Sequence, residues 1–146
     1  MTEYGSLREK IAAETKARQA NYNSFILAFQ QAKEVGYAAG RNACPTPMVV
    51  SEHVNPLNDS SAVKQEWFVG DGACGFAWVN VSPGNCSFAK WLVKNGHARK
   101  SYYGGVDIWV HDHGQSIERK EAHAYAMVDV LKAQLGVKAY ASSRMD

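Results

Sequence analysis

The chain has 146 residues, of which 46% are hydrophobic and 21% are charged, and its formal net charge is only +2 at pH 7. This length and composition suit one compact domain with an ordinary core, and the small charge requires neither a nucleic-acid nor a membrane partner. No stretch approaches the roughly 20 apolar residues of a membrane span, which excludes a transmembrane helix.

The N-terminal region predicts one long helix over residues 5–39, because Ala, Glu, Lys, Arg and Gln dominate there and proline is absent. The first half of its apolar stripe is weak, so we expect that half to project or to pair with another chain. The second half should pack on the domain. Gly36 and Gly40 are expected to weaken or end the helix. The residues that follow the helical spacing are Leu7, Ile11, Ala12, Thr15, Arg18, Tyr22, Phe25, Ile26 and Phe29.

The middle of the chain predicts extended structure between turns. MVVSEHV is typical of a short strand, and NPLNDSSA of a loop. Two further strands are predicted over 65–70 and 74–81. The Gly70-Asp71-Gly72 turn between them favours a hairpin. The second strand is apolar on both faces, which indicates a central position in a sheet.

The last third predicts two helices and two strands. A helix over 87–95 is capped by Asn85 or Ser87, and a strand follows over 105–111. Ser116 caps a long helix that reaches Leu135, and a final strand covers 138–142. The inward stripe of this helix is predicted as Ile117, Glu121, Ala124, Val128, Leu131 and Leu135.

The order of these elements predicts a single-domain α+β fold. We expect a mixed β-sheet with helices mainly on one face and a long N-terminal helix. The path from strand 105–111 through the long helix to strand 138–142 suits a right-handed βαβ unit. The expected organisation is a helical segment over 1–40 and a compact domain over 41–146.

Cys86 stands where the helix 87–95 begins, in the stretch NCSFAKWLVKNG. The positive end of a helix dipole favours a thiolate, and a cysteine nucleophile needs a base, usually histidine. With histidines on the next strand, the stretch resembles the NlpC/P60 cysteine peptidases. The resemblance implies a hydrolase with Cys86 as nucleophile and His111 or His113 as base. The alternative is a buried cysteine with surface histidines.

The sequence also suggests two metal sites. His111 and His113 would share one strand face, and Cys74 or Cys86 would complete a zinc site, but no standard zinc spacing is present. The DGAC stretch resembles the opening of RNase H-like proteins, which implies Mg²⁺ carboxylates from Glu118 or Glu121 and Asp146. Neither pattern is complete, so the prediction is no metal and no cofactor.

The run KNGHARKSYYGG, within residues 94–105, mixes basic and aromatic side chains. Arg99 and Lys100 are suited to phosphates, and Tyr102 and Tyr103 to stacking on bases. These residues and Trp109 are the predicted binding residues, with nucleic acid as a possible partner of 94–103. An ordinary solvated loop explains the same pattern.

The compartment follows from the N-terminus and the cysteines. MTEYGSLREKIAAETKARQ lacks the apolar core of a secretory signal, and the three cysteines include no Cys-x-x-Cys pair. We expect reduced thiols in a cytoplasm-like compartment, no export by a signal peptide and no membrane partner.

Three stretches, DGACGFAWVNV, GGVDIWV and YASSRMD, resemble small uncharacterised proteins of tailed bacteriophages over about residues 66–146. The resemblance implies a phage or prophage origin and a location in the host cytoplasm or the virion, and it implies no reaction.

The leading functional hypothesis is a non-enzymatic binding or assembly module that binds a protein partner or itself. The weak stripe of the opening helix and the four tryptophans support it. A cysteine hydrolase and a nucleic-acid-binding accessory protein are the alternatives.

Overall fold

A computed structural model describes the backbone of residues 3–146 and the side chains of residues 6–146. The first two residues of the predicted segment 1–40 lie outside this description. The predicted α+β class is confirmed. The elements in chain order are α1 (Glu3–Asn42), β1 (Met48–His53), β2 (Val63–Val69), β3 (Gly75–Ser82), α2 (Ser87–Lys94), β4 (Arg99–Lys100), β5 (Val106–Trp109), α3 (Ile117–Leu135) and β6 (Lys138–Met145).

The main sheet has the strand order β4-β5-β3-β6, and each neighbouring pair is antiparallel. The element order β3-α2-β4-β5-α3-β6 with this strand order is the split β-α-β, ferredoxin-like topology. The sheet is therefore antiparallel throughout rather than mixed. Because β5 and β6 both run antiparallel to β3, they are parallel to each other, and β3 lies between the two strands of the expected βαβ unit.

The predicted hairpin of β2 with β3 is wrong. β2 pairs instead with β1, from Met48 opposite Val69 to His53 opposite Val63, in a separate two-stranded sheet. The turn segment after β2 is held by the start of α3. The Ser116 hydroxyl donates to the Asp71 carbonyl at 2.8 Å, and the Arg119 Nε donates to the Asp71 carboxylate at 3.1 Å. The turn itself is present, since the Gly72 N–H donates to the Val69 carbonyl at 3.2 Å, but it does not return the chain into a hairpin with β3.

The core lies between one face of the main sheet and the helices, as predicted. Ala77, Val79 and Val81 of β3 are fully buried on that face, and α3 packs against both β3 and β6. Most of the predicted stripe of α3 is buried, but Glu121 is only half-buried and accepts a hydrogen bond from Ser143. The α3 side chains buried with the predicted ones are Lys120, His123 and Met127.

Helix α1 continues through both of its glycines to Asn42, so of the two expected effects, weakening or ending the helix, they do not end it. Every fourth residue of its second half is buried, and all of these residues are small: Ala28, Ala32, Gly36 and Gly40. They allow α1 to approach α3 closely. A Cβ atom at Gly36 would lie 2.7 Å from His123 Cδ2 and 2.8 Å from Met127 Cγ.

The first half of α1 projects from the domain, as expected. Residues 6–24 are all exposed, whereas Phe29 is 5% exposed and belongs to the core. Ile26 was predicted to pack, but it is 48% exposed. Among the described residues, no helix is long and apolar enough to cross a membrane.

We expect Gly36→Ala to destabilise the protein by about 1–3 kcal/mol, because the added methyl group overpacks the contact with His123 and Met127. Helix propensity alone would give the opposite sign, since alanine is favoured over glycine by about 1 kcal/mol. Chemical denaturation measures the difference. Ala38→Ser, on the exposed side of the same turn, is the control and should change stability little. A stabilised Gly36→Ala variant would show that the helices do not pack this closely.

Candidate functional site

The face of the main sheet opposite the core carries large aromatic side chains. Side chains alternate along β3, so Phe76 and Trp78 point away from the helices that cover Ala77 and Val79. The register places Trp109 of β5 directly opposite Trp78. All three rings are half-buried and so keep part of their surface in solvent.

The three rings form one cluster, which we call the aromatic surface. The Trp78 and Trp109 ring centroids are 4.7 Å apart with an interplanar angle of 35°. Phe76 contacts Trp109 edge-on, with centroids 6.4 Å apart. Tyr140 of β6 pairs with Asn80 and therefore lies on the same side of the sheet, where it is 52% exposed. The surface thus presents several adjacent, partly exposed aromatic rings.

Cationic side chains gather at one end of the aromatic surface. The Lys120 Nζ lies 5.4 Å from the Phe76 ring centroid, and the Arg144 guanidinium lies 5.5 Å from it. Arg99 pairs with Asp107 across β4 and β5, which places it on the same face. These groups line a surface pocket of about 470 Å³, which we call the basic pocket. Its lining residues are Phe76, Arg99, Trp109, Val110, His111, Gly114, Gln115, Lys120 and Arg144.

A carboxylate on this face, that of Asp107, is engaged within the fold. Asp107 is buried and accepts a hydrogen bond of 2.8 Å from Asn80 Nδ2, which also donates to the Gly104 carbonyl at 2.9 Å. Asn80 thereby ties the loop between β4 and β5 to the central strand. The tip of that loop carries Tyr102 and Tyr103, which are 93% and 90% exposed.

The structure brings together only some of the predicted binding residues. Arg99 and Trp109 both line the basic pocket. Lys100 pairs with Val106, whose side chain is in the core, so Lys100 lies on the opposite face from Arg99. Tyr102 and Tyr103 lie at the loop tip beyond the strands.

Sequence reasoning did not assign Phe76, Trp78, Lys120 or Arg144 to this site, although it expected the four tryptophans to serve interfaces. The alternation in GFAWVNVS placed the first two on one face, but it could not show that this face is uncovered. Nothing in the sequence links Lys120 to Arg144, because only the packing of α3 beside β6 brings them to one ring.

Cys86 caps helix α2, in place of the predicted Asn85 or Ser87. Its sulfur accepts a hydrogen bond from the Ala89 backbone N–H at 3.4 Å. The structure does not bring it together with the histidines. Cys86 follows the end of β3, while His111 follows the end of β5, and the two strands are antiparallel. The two residues therefore lie at opposite ends of the sheet, roughly 15 Å apart along β5 at ~3.3 Å per residue.

His111 and His113 do not share a strand face. His111 lines the basic pocket. His113 has a positive φ of 73° and turns to the interface of α1 and α3. There its Nε2 lies 2.9 Å from Nδ1 of His123, and its ring stacks on Tyr37 with centroids 5.4 Å apart.

No metal-binding group is found among the described residues, where no three His, Cys, Asp or Glu side chains are arranged to hold an ion. Two of the carboxylates expected for Mg²⁺ have separate partners. Glu118 accepts from the Thr46 backbone N–H, and Glu121 accepts from the Ser143 hydroxyl.

A scan against protein-family models found no match, and neither the curated proteins nor the solved structures gave a match to this chain. The ferredoxin-like topology therefore stands on the strand order alone, and the bacteriophage origin stays a prediction.

The histidine pair at the interface of α1 and α3 predicts a loss of stability in acid. Burial, and secondly the neighbouring His113, lower the pKa of His123 from 6.5 to about 4, with Asp112 opposing. Burial also lowers the pKa of His113, with Arg119 and Lys120 adding to the effect and Asp112 again opposing. At these two histidines the unfolded chain takes up protons below pH ~6.5 and the folded chain takes up fewer, so the unfolding free energy falls as the pH decreases from ~6.5 to ~4.

The contribution of His123 to this loss is about 3 kcal/mol at most. Urea denaturation at several pH values measures it, best above pH 5, where few carboxylates titrate. His123→Gln should flatten the dependence, while His111→Gln, a change outside the helix interface, should retain it. Equal slopes in all three proteins would exclude the histidine pair as the cause.

Proposed function

We propose that this protein binds single-stranded nucleic acid on the open face of its main sheet. The observation that carries the proposal is the aromatic surface of Phe76, Trp78 and Trp109, flanked by cations at one end. The proposal is one of binding and includes no reaction.

Stacking is the first part of the argument. Unpaired bases stack on exposed aromatic rings with about 1–3 kcal/mol per base, with little dependence on sequence. RNA recognition modules use the same arrangement, a four-stranded antiparallel sheet whose aromatic side chains stack two or three bases. Here the rings lie on β3 and β5, the two central strands. A duplex would offer these rings no free base faces, so the favoured ligand is single-stranded.

Charge is the second part of the argument for nucleic-acid binding. Arg99 and Arg144 lie at the edges of the aromatic surface, where phosphates of a stacked strand would pass. Among the described residues, neither is in an ion pair, and the nearby Asp107 is occupied by Asn80. The face is therefore locally basic although the net charge of the chain is only +2.

We expect Trp109→Ala to weaken binding of a fluorescently labelled single-stranded oligonucleotide by about 5- to 100-fold, the loss of one stacked base. Fluorescence anisotropy, with RNA and DNA of the same mixed sequence, measures the affinity. Tyr125→Ala removes a ring that is 59% exposed on α3 and is the control, with unchanged affinity expected. Equal effects of the two substitutions, or no binding by the unaltered protein, would overturn the proposal.

Two adjacent cations on β4 supply a second control for the same experiment. Arg99 and Lys100 are adjacent and exposed, but they lie on opposite faces of the sheet. Arg99→Gln should reduce the slope of log affinity against log salt by about 0.7, the value for one phosphate contact on a single strand. Lys100→Gln should leave the slope unchanged. If Lys100→Gln reduced the slope and Arg99→Gln did not, the ligand would lie on the other face of the sheet.

Self-association is a second candidate function, and the exposed half of α1 favours it. Leu7, Ile11, Tyr22 and Ile26 are each between 40% and 54% exposed along one side of the helix. Their spacing is self-complementary. In an antiparallel pair of α1 helices from two copies, Leu7 would face Ile26 and Ile11 would face Tyr22. Such a two-fold contact uses the same patch on both copies and closes as a dimer.

Ile11→Glu should convert the dimer of this second candidate to a monomer, because the charge would be buried at the contact. Ala13→Glu, on the other side of the helix, should not. Native mass spectrometry of the untagged protein distinguishes the two species. A monomer at every concentration of the unaltered protein would exclude this contact.

A further inference from the structure

We propose that the basic pocket binds a terminal phosphate monoester of the nucleic-acid strand. This inference rests on the proposed function, and it assigns one end of the strand to one place on the sheet. Its central residue is Lys120, which is 5% exposed and lines the pocket.

Lys120 is a buried cation without an anionic partner. Its ammonium group has three N–H donors. One is used, in a hydrogen bond of 3.1 Å to the Gly75 carbonyl, and the Phe76 ring lies beneath the group. Among the described residues no carboxylate pairs with it. Burial of an ammonium group is costly unless an anion and hydrogen-bond acceptors compensate. A phosphate group would supply both.

The surroundings of Lys120 favour the same kind of ligand. Arg144 and Lys120 both lie over the Phe76 ring, and Arg99 and His111 line the same pocket. The described lining contains no carboxylate. Lys120 also lies in the first turns of α3, where the helix dipole adds positive potential. A phosphate monoester carries a charge of about −1.5 to −2 at pH 7, so this site favours it over a singly charged diester.

The position of the pocket indicates that it binds an end of the nucleic-acid strand. Phe76 lies near the start of β3, Trp109 ends β5 and Arg144 lies near the end of β6, so the pocket is at one end of the sheet. The segment 110–115 contributes the remaining lining through Val110, His111, Gly114 and Gln115. A nucleic-acid strand that stacks along the sheet and runs toward this segment would be stopped by it at the pocket. The group bound there would then be the phosphate at the end of the nucleic-acid strand.

The test compares three oligonucleotides of one sequence, with a 5′-phosphate, with a 3′-phosphate and with hydroxyl groups at both ends. We expect one phosphorylated form to bind roughly 10-fold tighter than the hydroxyl form, the effect of charge-assisted hydrogen bonds. The phosphorylated end that gives the tighter binding defines the direction in which the nucleic-acid strand lies on the sheet. Lys120→Met should bring the ratio of the two affinities to about 1, since the ammonium group is lost.

Two further variants keep the test interpretable. Arg144→Gln changes an exposed side chain, so it should reduce the ratio even if Lys120→Met fails to fold. Lys138→Met alters an exposed cation at the other end of β6 and should keep the ratio of the unaltered protein. If Lys120→Met weakens all three ligands equally, the pocket holds an internal phosphodiester, and the terminal assignment is wrong.

The failure of this inference differs from that of the proposed function. Binding of all three oligonucleotides with equal affinity would overturn the phosphate pocket and leave stacking on the sheet intact. Binding of none would overturn the proposed function. In that case a titration with inorganic phosphate, followed by NMR at the Gly75 and Gly114 amides, still tests the pocket. Chemical-shift changes that occur in the unaltered protein but not in Lys120→Met would support an anion site. No chemical-shift changes in the unaltered protein would exclude one.

Discussion

The central strand β3 carries the constraint on which the rest of the fold depends. It pairs with β5 on one side and with β6 on the other, and its two faces have opposite surroundings. Ala77, Val79 and Val81 are completely buried beneath the helices. Because side chains alternate along a strand, burial of these three residues forces Phe76 and Trp78 to the opposite face. The core and the aromatic surface are therefore two consequences of a single register.

The helical layer determines which parts of the chain remain exposed. Helix α3 lies between the sheet and α1, and α1 approaches it through small residues that include Gly36 and Gly40. The space left by the missing side chains is filled by His113, His123 and Met127. This contact fixes only the second half of α1. The first half extends beyond the domain with no described partner along its apolar side, which is why self-association remains a candidate alongside nucleic-acid binding.

Local patterns predicted the elements well, and non-local pairing was the main source of error. Ser116 is the N-cap of α3 and Gly136 is its C-cap, as their local chemistry indicates. The Asp-Gly turn is an equally strong local signal and it does form, but β2 pairs with β1 rather than with β3, and the start of α3 binds the turn segment. For the site, Arg99 and Trp109 were recognised from composition. Lys120 and Arg144 could not be, since their meeting over Phe76 depends on how α3 packs beside β6.

The aromatic and cationic parts of the site are physically coupled. A cation over a ring is attracted by the negative charge density of the π-face, by about 0.5–2 kcal/mol according to its exposure. Lys120 and Arg144 are held in this way over the same Phe76 ring, whose edge contacts Trp109. A phosphate bound by the two cations would thus lie beside the rings on which bases stack. Stacking and phosphate binding would reinforce each other in one ligand that carries both groups. A free anion or a neutral aromatic molecule would use only half of this surface, which is the physical reason for preferring a nucleic-acid strand.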